Sequence, residues 1–71
     1  MEIEIFVTNI SDKKEFSKIK TAISKITSDA MVTIDLDDKD KVLRVEAESV
    51  DPEKIISTVR DYNFRCREMA D

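Results

Sequence analysis

Cys66 is the only residue of this 71-residue chain that offers a thiol for soft-metal binding, redox chemistry or nucleophilic attack. It alternates with Arg65 and Arg67 in a C-terminal segment with the pattern of a strand, which predicts that its side chain turns toward the core. One cysteine cannot form an internal disulfide, and a free cysteine is commonly buried as a small apolar side chain. We therefore expect Cys66 to pack in the core, with metal or redox chemistry as the alternative.

Asp12 and Glu15 are the second candidate group, because two carboxylates three residues apart can share a metal ion. Carboxylates suit hard cations, but two acids alone seldom hold calcium or magnesium tightly. The pair also lies at the predicted start of a helix, where acids are stabilised by the helix dipole and accept hydrogen bonds from unpaired backbone amides. A helix cap is the preferred interpretation, and a weak metal site is the alternative.

The composition excludes several classes of protein. The chain has no histidine and no glycine, so it lacks the base of a serine triad and the glycine-rich loop that cradles phosphate groups. We predict that it is not an enzyme and needs no cofactor. Its formal net charge of −4 argues against nucleic-acid binding, which needs a basic patch. The lone cysteine and the short apolar runs predict a cytoplasmic protein without membrane insertion, folded as one domain over residues 1–71.

Six predicted elements must position these residues. Alternating apolar and polar residues predict four strands, and apolar residues at three-and-four spacing predict two helices. The predicted strands cover residues 1–8, 31–36, 43–48 and 64–69, the first helix covers residues 12–27, and the second begins at the capping sequence Asp51-Pro52-Glu53 and ends near Asn63. In the first strand we expect Ile3, Ile5 and Val7 to face the helices. This order predicts an α+β, ferredoxin-like βαββαβ sandwich, in which two helices cover one face of a four-stranded antiparallel sheet with strand order 4-1-3-2.

The other face of that sheet is predicted to stay open. It is expected to carry Glu2, Glu4, Phe6, Thr33, Arg44, Glu46, Arg65 and Arg67. The acids of the first strand then lie between arginines of the neighbouring strands, which favours cross-strand ion pairs. Ordinary surface ion pairing is one interpretation. The other is an interaction surface for a protein partner or a second copy of the chain, with Phe6 as its aromatic anchor.

Several segments carry a resemblance to a known family. Three segments resemble corresponding segments of the heavy-metal-associated domain: the strand Val32-Thr33-Ile34-Asp35-Leu36, the helix start Asp51-Pro52-Glu53-Lys54-Ile55-Ile56 and the pair Asn63-Phe64, which is similar to the family's Gly-Phe pair. The loop Asn9-Ile10-Ser11-Asp12-Lys13-Lys14-Glu15-Phe16 occupies the place of the family's metal-binding loop. The resemblance covers nearly the whole chain. In that family the first loop reads Gly-Met-x-Cys-x-x-Cys and binds the metal, so Asp12 and Glu15 stand where the two cysteines belong.

The resemblance implies the same fold but a changed site. Copper(I) is a soft metal that prefers thiolates, which neither Asp12 nor Glu15 can supply. The chain is therefore interpreted as a small non-catalytic binding or interaction domain that has lost the cysteine copper site. The alternative is a divergent copper or zinc carrier that uses Cys66 or a site between subunits.

Overall fold

Four strands and two helices alternate along the chain in the order βαββαβ, which confirms the predicted ferredoxin-like α+β fold. The structure is a computed structural model and describes residues 1–69. The elements are β1 (Glu2–Thr8), α1 (Lys13–Ile26), β2 (Met31–Asp35), β3 (Val42–Ala47), α2 (Pro52–Asp61) and β4 (Cys66–Glu68). The predicted domain also included residues 70–71, which lie outside the described residues.

The strands form one antiparallel sheet in the order β2-β3-β1-β4, which confirms the predicted arrangement. β1 lies inside the sheet, where it pairs with β3 on one side and with β4 on the other. The cross-strand partners that matter for the sites below are Ile3 with Glu46, Ile5 with Arg44, Phe6 with Leu43, Val7 with Arg67, and Thr8 with Cys66. Each side chain of β1 therefore lies on the same face of the sheet as the side chain of its cross-strand partner in β3 or β4.

Both helices begin at an aspartate, as the sequence predicts. The side chain of Asp12 accepts a hydrogen bond from the backbone amide of Glu15, and that of Asp51 accepts hydrogen bonds from the amides of Glu53 and Lys54. These bonds satisfy amides that have no partner within the helix. After α2, Asn63 adopts the left-handed conformation with φ 69°, which ends the helix without a glycine.

The core lies between the sheet and the helices, and Phe6 is at its centre. Its largest fully buried side chains are Phe6, Ile10, Ile19, Ile23, Leu43, Val45, Ile55 and Val59. Burying the large ring of Phe6 removes much apolar surface from water and contributes strongly to stability.

The prediction for the two faces of β1 was therefore wrong. Phe6 is fully buried and Thr8 is 6% exposed, whereas Ile3 is 46% and Ile5 37% exposed. The even positions continue in phase to the fully buried Ile10 in the loop after β1, so the helices cover the face that Phe6 occupies. The buried hydroxyl of Thr8 is satisfied, because it donates to the carbonyl of Lys41 and accepts from the amide of Ile10.

The two glutamates of β1 accompany Phe6 on the helix-facing side, which is a second correction. The side-chain oxygen Oε1 of Glu2 accepts a hydrogen bond from the backbone amide of Val50 at 2.7 Å, just before α2. Glu4 is half-buried. A carboxylate can lie at this end of the strand because it is near solvent and has hydrogen-bond donors to accept from.

Candidate functional site

Cys66 begins β4 and packs in the core, where the sequence predicts it. Its side chain is 3% exposed and lies opposite Thr8 of β1. Burial raises the pKa of the Cys66 thiol from 9.0 to about 11, although the nearby positive charge of Arg60 acts in the opposite direction. The thiolate is the form that binds soft metals and attacks electrophiles, so a buried thiol with a raised pKa is poorly suited to either role.

Asp12 and Glu15 form a hydrogen-bonded helix start. The Asp12 carboxylate accepts from the Glu15 amide at 2.8 Å, and Glu15 Oε1 accepts from both the amide and the hydroxyl of Ser11 at 2.8 and 2.9 Å. This is a variant of the capping box, in which the glutamate reaches back one residue beyond the cap. Both carboxylates are thus engaged in local hydrogen bonds that account for their position.

The structure does not bring these three candidates into one metal site. Cys66 is buried in β4, whereas Asp12 is exposed at the start of α1. Among residues 1–69 there is no group of three or more histidine, cysteine, aspartate or glutamate side chains placed to hold a metal ion. Neither α1 nor α2, the two helices of the described residues, has the length and apolar character of a membrane-spanning helix.

The open face of the sheet differs in composition from the predicted one. Glu2, Glu4 and Phe6, three of the eight residues predicted for it, lie on the helix-facing side instead. Arg44 is exposed on the open face, where its Nη2 lies 3.6 Å from Oε1 of Glu46 in a salt bridge. Arg65 and Arg67 are exposed at the side of the sheet formed by β4.

Ile3 and Ile5, which the periodicity of β1 predicted to face the helices, lie instead on this open face, next to Arg44 and Glu46. Met31 of the edge strand β2 lies opposite Glu46 and is 65% exposed. We call Ile3, Ile5, Met31, Arg44 and Glu46 the open-face patch. One sequence signal could have predicted this patch. The even-numbered residues Phe6, Thr8 and Ile10 include the largest side chain of β1, and if they face the helices, Ile3 and Ile5 must face outward.

Comparison with known proteins agrees with this fold and places it in a family. The sequence matches the family described as heavy-metal-associated domain over residues 4–65, which is most of the chain. Comparisons with curated proteins and with solved structures gave no significant match. The match runs from β1 to the residue before β4 and therefore includes both helices and the loop that contains Asp12. The chain belongs to the heavy-metal-associated domain family.

Proposed function

We propose that this protein is a non-catalytic interaction module of the cytoplasm, which associates with a second copy of itself through the open-face patch. Membership of the heavy-metal-associated family supports a binding role in general, since domains of this family bind metals and contact other proteins. The acidic net charge of −4 favours protein over nucleic acid as the partner. A single, reduced cysteine is in keeping with the cytoplasm.

The observation that carries the proposal is the exposure of large apolar side chains on a sheet face that no described helix covers. Ile3, Ile5 and Met31 are 46%, 37% and 65% exposed. The isoleucines lie on β1 and Met31 lies on β2, with Arg44 and Glu46 of β3 between them. Large exposed apolar side chains grouped on one face together with polar groups are typical of protein interaction sites. Association would remove this surface from water and supply the main driving force.

The charges of the patch favour a second copy as the partner. Arg44 and Glu46 lie two residues apart on β3, so a two-fold axis passing between them brings each arginine to the glutamate of the other copy. The same axis stacks the isoleucines of the two copies against each other. Within one chain the pair is partly exposed and contributes little stability, but it would strengthen when the interface excludes water.

We also infer that the module has lost the thiolate metal site of its family. The support is that Cys66 is the only cysteine and is 3% exposed, while hydrogen bonds of the helix start engage Asp12 and Glu15. A carrier that used Cys66 between two subunits needs an exposed thiol on an interface. The burial of Cys66 therefore favours the interaction module over the divergent metal carrier.

Sedimentation velocity with two isoleucine variants of matched exposure tests the self-association. Ile3 in the open-face patch and Ile26 at the end of α1 are both 46% exposed. Between about 10 μM and about 1 mM we expect the wild type to shift from monomer toward dimer, Ile3→Lys to stay monomeric, and Ile26→Lys to behave like the wild type. A wild type that is monomeric throughout, or an equal effect of the two lysines, would refute the proposal.

A further inference from the structure

A cleft of about 780 Å³ opens where β1 ends and β4 begins. Four of its lining residues are cations, and they come from three separate parts of the chain. Lys39 belongs to the loop between β2 and β3, Arg60 to the last turn of α2, and Arg65 and Arg67 to the segment that forms β4. The fold therefore brings together cations that are distant in the sequence, since Lys39 and Arg67 are 28 positions apart.

This concentration of positive charge is unusual for the chain that contains it. The sequence has 16 acidic and 12 basic residues, yet a third of the basic residues line this one cleft. Among the described residues none of the four cations takes part in a salt bridge. Like charges held together repel one another, and a concave wall focuses their field into the cleft. A bound anion would relieve that repulsion.

Local structure accounts for only part of the cluster. Arg60 lies in the last turn of α2, where a cation interacts favourably with the negative end of the helix dipole. Arg60 and Arg67 also border a neighbouring groove that contains the acids Asp61 and Glu68, but no salt bridge joins them. No such local role explains why Lys39 and Arg65 face the same cleft.

The remaining walls are suited to an anion that is partly removed from water. Asn9 Oδ1 accepts a hydrogen bond from the Arg65 amide at 2.7 Å, which fixes the start of β4 against the end of β1. The side-chain nitrogen Nδ2 of Asn9 makes no hydrogen bond within residues 1–69 and is a further donor at the cleft. Half-buried Val7 and Phe64 add apolar surface beside these donors.

We propose that this cleft binds a compact multivalent oxyanion, whose phosphoryl or carboxylate groups pair with Arg60, Arg65 and Arg67. Arginine presents paired N–H donors that match two oxygens of either group, and such charge-assisted bonds are stronger than neutral ones. All four cations line one concave site, which favours a compact ligand over an extended acidic peptide. The proposal does not depend on self-association, because the open-face patch consists of other residues.

NMR titration of the full chain tests the site with two small probes, inorganic pyrophosphate and citrate. Pyrophosphate carries phosphoryl groups and citrate carries carboxylates. The probe that binds with the lower dissociation constant therefore shows which of the two groups the cleft prefers. We expect saturable shifts of the backbone amide signals of Asn9, Lys39 and Arg65, and weaker binding as chloride is added. The titration is run with the Ile3→Lys variant as well, so that dimer formation and anion binding are measured separately.

A pair of double variants with the same change of charge provides the control. Arg60→Gln with Arg65→Gln removes two cations from the cleft, and Lys20→Gln with Lys25→Gln removes two from α1. We expect the first to weaken binding by about tenfold or more and the second by less than about twofold. Equal weakening by both pairs, shifts that do not saturate, or binding of an Asp/Glu-rich peptide but of neither small anion would overturn the proposal.

Discussion

Replacing Phe6 and Ile5 in turn tests which face of β1 the helices cover. Phe6 is fully buried, and truncating a buried phenylalanine to alanine costs about 3–5 kcal/mol. At roughly 0.05–0.15 kcal/mol per residue, a chain of 71 residues has an unfolding free energy of about 4–11 kcal/mol. Phe6→Ala would therefore leave little or no stable fold. The milder Phe6→Leu is the better variant, with an expected loss of about 1–2 kcal/mol from the missing buried carbons.

Ile5→Thr is the matched change on the opposite face. Ile5 is already 37% exposed, and threonine is well accommodated in a strand, so we expect a loss below about 1 kcal/mol. Urea denaturation followed by circular dichroism, at a protein concentration where the wild type is monomeric, gives both free energies. Equal m-values would show that the variants unfold from equally compact states. If Ile5→Thr destabilises the protein more than Phe6→Leu does, the assignment of the two faces is incorrect.

Three further predictions concern the loop that contains Asp12 and the lone thiol of Cys66. Asp12→Ala removes the acceptor for the Glu15 amide and should lower the unfolding free energy by about 1 kcal/mol. The control Asp37→Ala, at an exposed loop aspartate, should have little effect. Equal losses of stability in the two variants would contradict the capping role of Asp12. Because burial raises the pKa of Cys66 to about 11, the folded chain keeps a proton that the unfolded chain loses above about pH 9, so stability should decline from about pH 9 to 11. Urea denaturation at each pH should show that the Cys66→Ala variant lacks this part of the decline in stability. If the variant and the wild type lose stability identically between about pH 9 and 11, the prediction is wrong. In a competition titration with a copper(I) chelator we expect no stoichiometric tight site, and a site that disappears in Cys66→Ser would show that a thiolate site survives.

The starts and ends of the two helices could be predicted from the sequence because local chemistry determines them, whereas β4 (Cys66–Glu68) is shorter than the predicted residues 64–69. Asp51 followed by Pro52 starts α2, and Asn63 ends it in the left-handed conformation that asparagine tolerates better than most residues. Alternation identified the strands, and the need of each apolar stripe for a partner determined the layers. The helix-cap role of Asp12 followed from the same local reasoning.

The orientation of β1 could not be obtained in this way. A period of two is satisfied by either parity, and both parities of this strand contain large apolar side chains. Which parity faces the helices depends on the packing of Phe6 beneath them and on the hydrogen bond from the Val50 amide to Glu2. Both are tertiary interactions, which the local sequence does not reveal. The basic cleft was missed for a similar reason, since Lys39 and Arg60 lie on a loop and a helix that meet only in the folded chain.

The short edge strand β4 has a consequence for the way this domain opens. It contains three residues and, within residues 1–69, pairs with β1 alone. The residue before it, Arg65, donates a backbone hydrogen bond to the Asn9 side chain, 56 positions earlier in the sequence. Segments with few hydrogen bonds at a sheet edge are the first to detach, well before global unfolding. Because Cys66 is the first residue of this strand and its side chain is buried in the core, detachment of β4 would expose its thiol to solvent. The rate at which a thiol reagent modifies Cys66 in the native protein would then report how often β4 detaches from the sheet. The single cysteine would thus serve as a built-in probe of local unfolding at this edge.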